Sequence, residues 1–157
     1  MGKARASRAF PGSVYDAERR WYDTDRWPAW IDGLDRVISV DGDWPRVGAS
    51  VSWESAPVGR GRVHERVVGF EERVGQTLEV QDDSITGRQS VTFTPAGDRV
   101  EVDLQLEYRI TKSSILTPVI DFLFIRRAMS RSLAWTLERF GAEMAPRARA
   151  RAQPADQ

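Results

Sequence analysis

The last long amphipathic stretch, residues 115–144, constrains the fold more than any other part of the chain. Pro118 suits the first turn of a helix, and Thr117 is able to cap it. At about 1.5 Å per residue such a helix reaches roughly 40 Å, so it requires a long partner surface. Its apolar side chains recur at steps of three and four residues, which places them on one face: Leu116, Val119, Ile120, Leu123, Leu133, Leu137, Phe140 and Met144.

The segment immediately upstream, residues 99–110, supplies a suitable surface. Apolar side chains occupy every even position from Val100 to Ile110, and polar side chains occupy the odd positions between them. This alternation is typical of a strand with one wet face and one covered face. Burying a side chain of this size contributes about 1.5–3 kcal/mol. We therefore expect the helix to lie across the inner face of a sheet.

The rest of the chain reads as short elements separated by turn signals. A strand at 4–10 ends at Pro11-Gly12, and Ser13 with Asp16 caps a short helix. A second short helix follows at 28–32. The next strands are joined by breaks short enough for antiparallel hairpins, and they are expected at 35–41, 48–55, 61–70, 74–82 and 86–94.

The predicted fold is therefore α+β in the order β-α-α-β6-α. A seven-stranded curved antiparallel sheet wraps around the long C-terminal helix, since twisted sheets curl and two short helices cannot seal one alone. A gap between sheet and helix would typically measure several hundred Å³ and be mostly apolar. We expect one domain over residues 1–145 and a disordered basic tail over 146–157.

Composition excludes several kinds of site. The 157 residues include 23 basic and 23 acidic side chains, so no global charge attracts nucleic acid, and we expect no nucleic-acid partner. With no cysteine and one histidine, disulfides are excluded, and we expect no metal site and no cofactor. The first residues lack the apolar core of a signal peptide, which favours a cytoplasmic location. No feature specifies the oligomeric state.

One segment between the first two strands carries a resemblance to a known family. Residues 23–30 read DTDRWPAW, with an acidic residue, an aromatic-Pro pair and a further aromatic residue. Together with the element order over 4–144, this resembles the START-like (SRPBCC) superfamily of helix-grip proteins, which includes the polyketide cyclase/dehydrase and lipid-transport family. The resemblance implies binding of apolar or aromatic small molecules, lipids or quinones under the C-terminal helix. Some members cyclise or dehydrate polyketides.

Strand phase selects the side chains that would face such a cavity. Trp53 shares its side of a strand with Val51, Glu65 with Val63 and Val67, and Gln89 with Val91 and Phe93. The inner row of the strand at 99–110 includes Leu106 and Tyr108. The candidate ligand-binding residues are thus Trp53, Glu65, Gln89, Leu106 and Tyr108, with Phe122, Leu123, Phe124 and Arg127 from the helix above.

Each polar or aromatic candidate also has a structural explanation. Glu65 serves as a general base if burial raises its pKa, or it is outward-facing at a bulge at 67–68, or it pairs with Arg62, Arg66 or Arg88. The lone His64 is opposite in phase to Glu65 and is expected in solvent. A local aromatic group forms either a cage or a hydrophobic plug: Trp21, Tyr22, Trp27 and Trp30.

Three functional hypotheses follow. The leading one is a binding protein for an apolar or aromatic small molecule or lipid. The second is a polyketide cyclase or dehydratase that uses Glu65 or Tyr108 for proton transfer. The third is a membrane-surface or protein-interaction module, with peripheral contact through the apolar run at 115–125, which is too short to cross a bilayer.

Overall fold

The computed structural model describes residues 1–56, 61–111 and 118–146, with side chains of the last range described from Arg126 onward. The helices are α1 (Val14–Trp21), α2 (Trp27–Trp30) and α3 (Pro118–Met144), and a 3₁₀ turn spans Thr24–Arg26. The strands are β1 (Gly2–Pro11), β2 (Leu34–Asp41), β3 (Ser50–Ser55), β4 (Arg62–Glu71), β5 (Gly75–Gln81), β6 (Ile85–Ala96) and β7 (Arg99–Ile110). The predicted element order is confirmed.

All seven strands form one curved antiparallel sheet in the order β1-β7-β6-β5-β4-β3-β2. Strands β2 to β7 follow one another as hairpins, as predicted. The first strand instead pairs with the last, from Gly2 opposite Tyr108 to Pro11 opposite Arg99. The predicted fold class is therefore confirmed, and the first and last strands meet at one side of the sheet.

The start of β1 shows why this pairing extends further than the sequence suggested. The strand begins at Gly2, two residues before its predicted start at Ala4. The Tyr108 ring on the neighbouring strand lies over Gly2, and a Cβ added at that glycine would overlap the ring. A glycine with no side chain of its own thus gains apolar cover from a cross-strand aromatic residue.

Helix α3 buries the face predicted for its C-terminal half. Leu133, Leu137, Phe140 and Met144 are all buried. The Phe140 ring lies 5.4 Å from the ring of Phe10, 5.0 Å from that of Trp21 and 4.8 Å from that of Trp30. The other predicted contacts lie outside the described side chains, namely those of Leu116, Thr117, Val119, Ile120 and Leu123.

Two further features are the predicted tail and the possibility of a membrane-spanning helix. Of the predicted tail, only Pro146 belongs to the described residues. Within residues 1–56, 61–111 and 118–146, no helix is both long enough and apolar enough to span a membrane.

The N-terminus of α1 carries the predicted cap. The Ser13 hydroxyl accepts a hydrogen bond from the Asp16 backbone N–H at 3.1 Å, and the Ser13 backbone N–H donates to the Asp16 carboxylate at 3.2 Å. This reciprocal capping box satisfies two donors that the helix itself leaves unpaired. The bond from the Ser13 N–H, followed by that from its hydroxyl, lowers the pKa of Asp16.

Replacing Ser13 by alanine is expected to reduce the free energy of unfolding by about 1 kcal/mol, because one helix donor loses its acceptor. Ser13→Thr keeps an acceptor and is the matched control. Chemical denaturation of the three proteins measures the difference. A Ser13→Ala protein as stable as Ser13→Thr would contradict this account of the cap.

The Asp16 carboxylate adds a pH dependence of known sign. Its folded pKa is lowered, so its stabilising effect is present above the unfolded pKa of about 3.9 and is lost as pH falls through the folded value. Denaturation of the native protein and of Asp16→Asn across pH 2–7 tests this dependence. The free energies of unfolding of the two proteins should converge as the pH falls below roughly 4.

Candidate functional site

A small cavity of about 50 Å³ separates the inner face of the sheet from α3. The tryptophans Trp21, Trp27 and Trp53 form part of its wall. Polar side chains reach it from three elements: Glu65 from β4, Gln76 from β5 and Gln89 from β6. The remaining lining residues are Ile31, Asp32, Leu78, Leu104, Ser132, Leu133 and Thr136.

Glu65 faces this cavity because β4 remains regular up to Val67. Buried and exposed residues alternate along this part of β4, and Glu65 is in phase with the buried Val63 and Val67. The Glu65 residue is 7 % exposed. The register shift in β4 occurs between Val67 and Gly69, after Glu65, so the bulge does not turn the carboxylate outward. The cavity therefore contains a buried carboxylate.

The arginines considered as partners of Glu65 lie on the outer face of the sheet. Arg62 donates to Glu54 at 3.2 Å, and Arg88 forms an ion pair with Glu79 at 3.6 Å. Arg66 is exposed and opposite in phase to Glu65.

Two further predicted residues join Glu65. Trp53 from β3 and Gln89 from β6 both line the cavity, as their strand phase indicates. Three separate strands thus bring an indole, a carboxylate and an amide to one space, which is the set of groups the alternation pattern selected.

Leu106 and Tyr108 are buried on the inner row of β7, but neither belongs to the lining of this cavity. Tyr108 instead packs over Gly2, and its buried hydroxyl has no hydrogen-bond partner among the described residues. Burial raises the pKa of the Tyr108 hydroxyl, and the positive charge of Arg126 acts in the opposite direction.

The predicted contribution from α3 differs from expectation. Arg127 does not line the cavity; it is exposed and lines a shallow surface groove of about 420 Å³ with Arg126, Ser130 and Arg131. The side chains of Phe122, Leu123 and Phe124 lie outside the described residues. From the described part of α3, the cavity is closed by Ser132, Leu133 and Thr136.

Sequence reasoning missed two hydrogen-bonded polar side chains that line the cavity, Gln76 and Thr136. The Thr136 hydroxyl accepts a hydrogen bond from the Asp32 backbone N–H at 2.9 Å. Gln76 donates through Nε2 to the Pro45 carbonyl at 3.0 Å. Helical spacing from Leu133 and Phe140 was a usable signal for Thr136, whereas the bonds to Asp32 and Pro45 depend on tertiary contacts.

The aromatic group between β1 and β2 forms a plug. The Trp21 and Trp30 rings lie 4.7 Å apart, and the indole N–H of Trp27 donates to the Trp21 carbonyl at 2.8 Å. Tyr22 packs against Phe70, Phe93 and Trp44. The plug therefore seals one end of the space under α3 while Trp21 and Trp27 retain surface toward the cavity.

A second buried carboxylate has a structural role. Glu18 on α1 accepts a hydrogen bond from the Arg73 backbone N–H at 3.1 Å and another from its guanidinium at 2.7 Å. Arg73 lies in the β4–β5 turn with φ of 67°, in the left-handed region. Glu18 thus ties α1 to that turn and compensates for an unfavourable backbone conformation.

His64 is exposed on the outer face of the sheet, as its phase predicted. Its Nδ1 lies 2.8 Å from the Ser52 hydroxyl, and the two atoms share a hydrogen bond. In the described parts of the chain, no three side chains of the metal-binding types converge.

The expected gap of several hundred Å³ is not present between the described side chains. A cavity of about 50 Å³ is of the size that holds one or two water molecules, each of which occupies roughly 30 Å³ in the liquid. Its indole walls offer apolar contact, and its carboxylate and amides offer hydrogen bonds. In known small-molecule sites, apolar walls with a few polar groups orient ligands that have an apolar body and few polar atoms.

Replacing Thr136 by valine keeps the shape of the side chain and removes the acceptor of the Asp32 N–H. We expect the free energy of unfolding to fall by about 1–3 kcal/mol, since a partly buried donor is left without its partner. Thr94→Val, at an exposed position on β6, is the control and should change stability little. Equal stability of the two variants in denaturant would contradict a structural role for this bond.

Comparisons with known proteins identify the family. The family model described as "Polyketide cyclase / dehydrase and lipid transport" matches residues 1–145. No curated protein matches the chain. A START superfamily protein from Mycobacterium smegmatis is similar in structure with a TM-score of 0.74 and 11 % identity, over 92 % of this chain and 97 % of that one.

Two further solved structures share the fold. Truncated norcoclaurine synthase from Thalictrum flavum has a TM-score of 0.65 and 12 % identity, over 88 % of this chain and 90 % of that one. The di-domain ARO/CYC protein StfQ from the steffimycin biosynthetic pathway has a TM-score of 0.70 and 17 % identity, over 90 % of this chain and 51 % of that one. The chain belongs to the polyketide cyclase/dehydrase and lipid-transport family and has the START-like fold of these proteins.

Proposed function

We propose that this protein binds an apolar or aromatic small molecule or lipid between the sheet and α3. The observation that carries the proposal is the inward placement of Glu65 with Gln76 and Gln89 in a space walled by tryptophans. Burial of the Glu65 carboxylate and the Gln76 amide, beside the half-buried Gln89, costs free energy compared with apolar side chains at the same positions. Recognition of the polar atoms of a guest is a reason for that composition.

The volume of the cavity determines how binding would proceed. Pockets for small molecules typically measure about 300–1,000 Å³, several times the space between the described side chains. Between the described side chains, a guest of that size fits if α3 and the sheet separate or their side chains rearrange. Leu133, on the cavity side of α3, is the apolar side chain that such a movement would displace.

Native mass spectrometry of protein purified from its own host tests the proposal directly. A co-purified mass would define the chemical class of the guest. Titration with a panel of lipids, quinones and aromatic polyketides, followed by tryptophan fluorescence, tests it without the host. Absence of both a co-purified molecule and saturable binding across the panel would reject the proposal.

Filling the cavity from α3 should block binding. We expect Leu133→Trp to raise the Kd for any ligand found in the panel at least tenfold, because the larger ring occupies the space that the guest requires. Ala134→Trp adds the same ring to an exposed position one residue along the helix and is the matched control. Thermal unfolding verifies that both variants fold, and equal Kd values for the two would contradict the proposed location.

Catalysis by a cyclase or dehydratase is the second candidate function, and the cavity-facing position of Glu65 favours it. A carboxylate that faces a bound substrate is suited to abstract a proton from a carbon next to a carbonyl group. Tyr108, the other proposed proton donor, does not line the cavity. Of Glu65 and Tyr108, Glu65 is therefore the one that could transfer a proton to or from a substrate in the cavity.

Glu65→Gln separates the two candidates. If Glu65 is a general base, the variant should turn over a poly-β-keto thioester about 10²–10⁴-fold more slowly than the native protein while it still binds the compound. Turnover is followed by chromatography and binding by fluorescence. Unchanged turnover in the variant would remove this catalytic role and leave the binding proposal intact.

The membrane-surface and protein-interaction alternative was based on the apolar run at 115–125. The side chains of that run lie outside the described residues, so this alternative stays a prediction.

A further inference from the structure

The outward face of α3 carries a group of exposed residues that the cavity does not use. We define the basic stripe as Arg127, Arg131 and Trp135, all of which are exposed. The ten residues from 126 to 135 contain three arginines, with Arg126 as the third, and no acidic side chain. The chain as a whole has no net charge, so this concentration of positive charge is local.

The arginines of the basic stripe differ from others nearby in having no ion pair with any described residue. Arg139, further along the same helix, is neutralised by Asp32 at 3.1 Å. Arg26, which packs near the end of α3, is neutralised by Glu143 at 2.8 Å. The stripe is therefore a place where positive charge is available to an external partner.

The exposed indole indicates what kind of partner fits. Trp135 is 44 % exposed, and the guanidinium carbon of Arg131 lies 5.8 Å from the centre of its ring. Arg127, Arg131 and Trp135 are spaced four residues apart, so they lie along one side of the helix. An indole beside guanidinium groups is the combination that resides at the interface between lipid headgroups and hydrocarbon.

We propose that the basic stripe docks the protein on the surface of a bilayer that contains anionic lipids. The arginines bind the phosphate groups, and Trp135 inserts at the headgroup level. A free phosphate ion would explain the arginines and the shallow groove that they line, but it gives no role to the exposed indole. The proposal concerns the outer face of α3 and does not depend on what the cavity binds.

The position of the stripe has a consequence for the cavity. Leu133 and Thr136 line the cavity from the inner side of the same helical segment. Docking would therefore hold the membrane against the helix that closes the cavity, with the stripe and the cavity on opposite sides of α3.

Vesicle co-sedimentation of the full chain tests the proposal, with phosphatidylcholine vesicles compared to vesicles that contain phosphatidylglycerol. We expect binding to the anionic vesicles only, and weaker binding as salt is raised. Arg127→Gln/Arg131→Gln should weaken it about 25-fold, since each arginine near an anionic surface contributes about fivefold. Trp135→Ala should weaken it as well.

Arg66→Gln/Arg109→Gln is the matched control. It removes the same charge from two arginines that are exposed on the outer face of the sheet and have no ion pair among the described residues. Binding that is equal to that of the native protein in the control, and lost in the stripe variant, supports the proposal. Circular dichroism verifies that both variants fold.

Several outcomes would overturn the proposal. The first is absence of binding to anionic vesicles, and the second is a loss of vesicle binding in the control variant equal to that in the stripe variant. The third is vesicle binding that survives in the stripe variant, which would point to the arginines at 147–151. Saturable binding of inorganic phosphate at the stripe together with no effect of Trp135→Ala would show an anion site in its place. If Leu133→Trp loses ligand uptake but still binds vesicles, membrane docking is independent of ligand binding in the cavity.

Discussion

Packing of the C-terminal half of α3 against the aromatic plug is the interaction on which the rest of the structure depends. Phe140 has no exposed surface, and it touches rings from β1, α1 and α2 at once. Close-packed aromatic contacts of this kind contribute both buried area and favourable ring geometry. They fix the distance between α3 and the sheet at one end of the helix. The same contacts therefore limit the size of the cavity that lies next to the plug.

The sheet supports this contact by pairing its first strand with its last. Because β1 pairs with β7, Phe10 lies beside Val100 and reaches the end of α3. The hairpins from β2 to β7 then bring Trp53, Glu65 and Gln89, which lie far apart in the sequence, together on the inner face. The candidate site thus depends on long-range pairing, although each side chain in it follows a local rule.

Local rules predicted a large part of the site and of the fold. Alternation along β7, and along β4 up to Val67, identified the inner face correctly, including the buried position of Glu65, because a strand with one covered face permits a single phase. The cap at Ser13 was readable for a similar reason, since its geometry lies within four residues. Phase alone did not separate Tyr108 and Leu106 from the cavity, because a whole inner row shares one phase while only some of its members meet a gap.

The amino-acid sequence by itself determined the element order, the buried faces and the family, because periodicity and capping act over short distances. The tertiary structure decided the pairing of β1 with β7, the exposure of Arg127 and the salt bridge between Glu18 and Arg73. It also decided that the described space under α3 is small. These features arise from contacts between residues far apart in the chain, whose fit depends on the volumes of several side chains together.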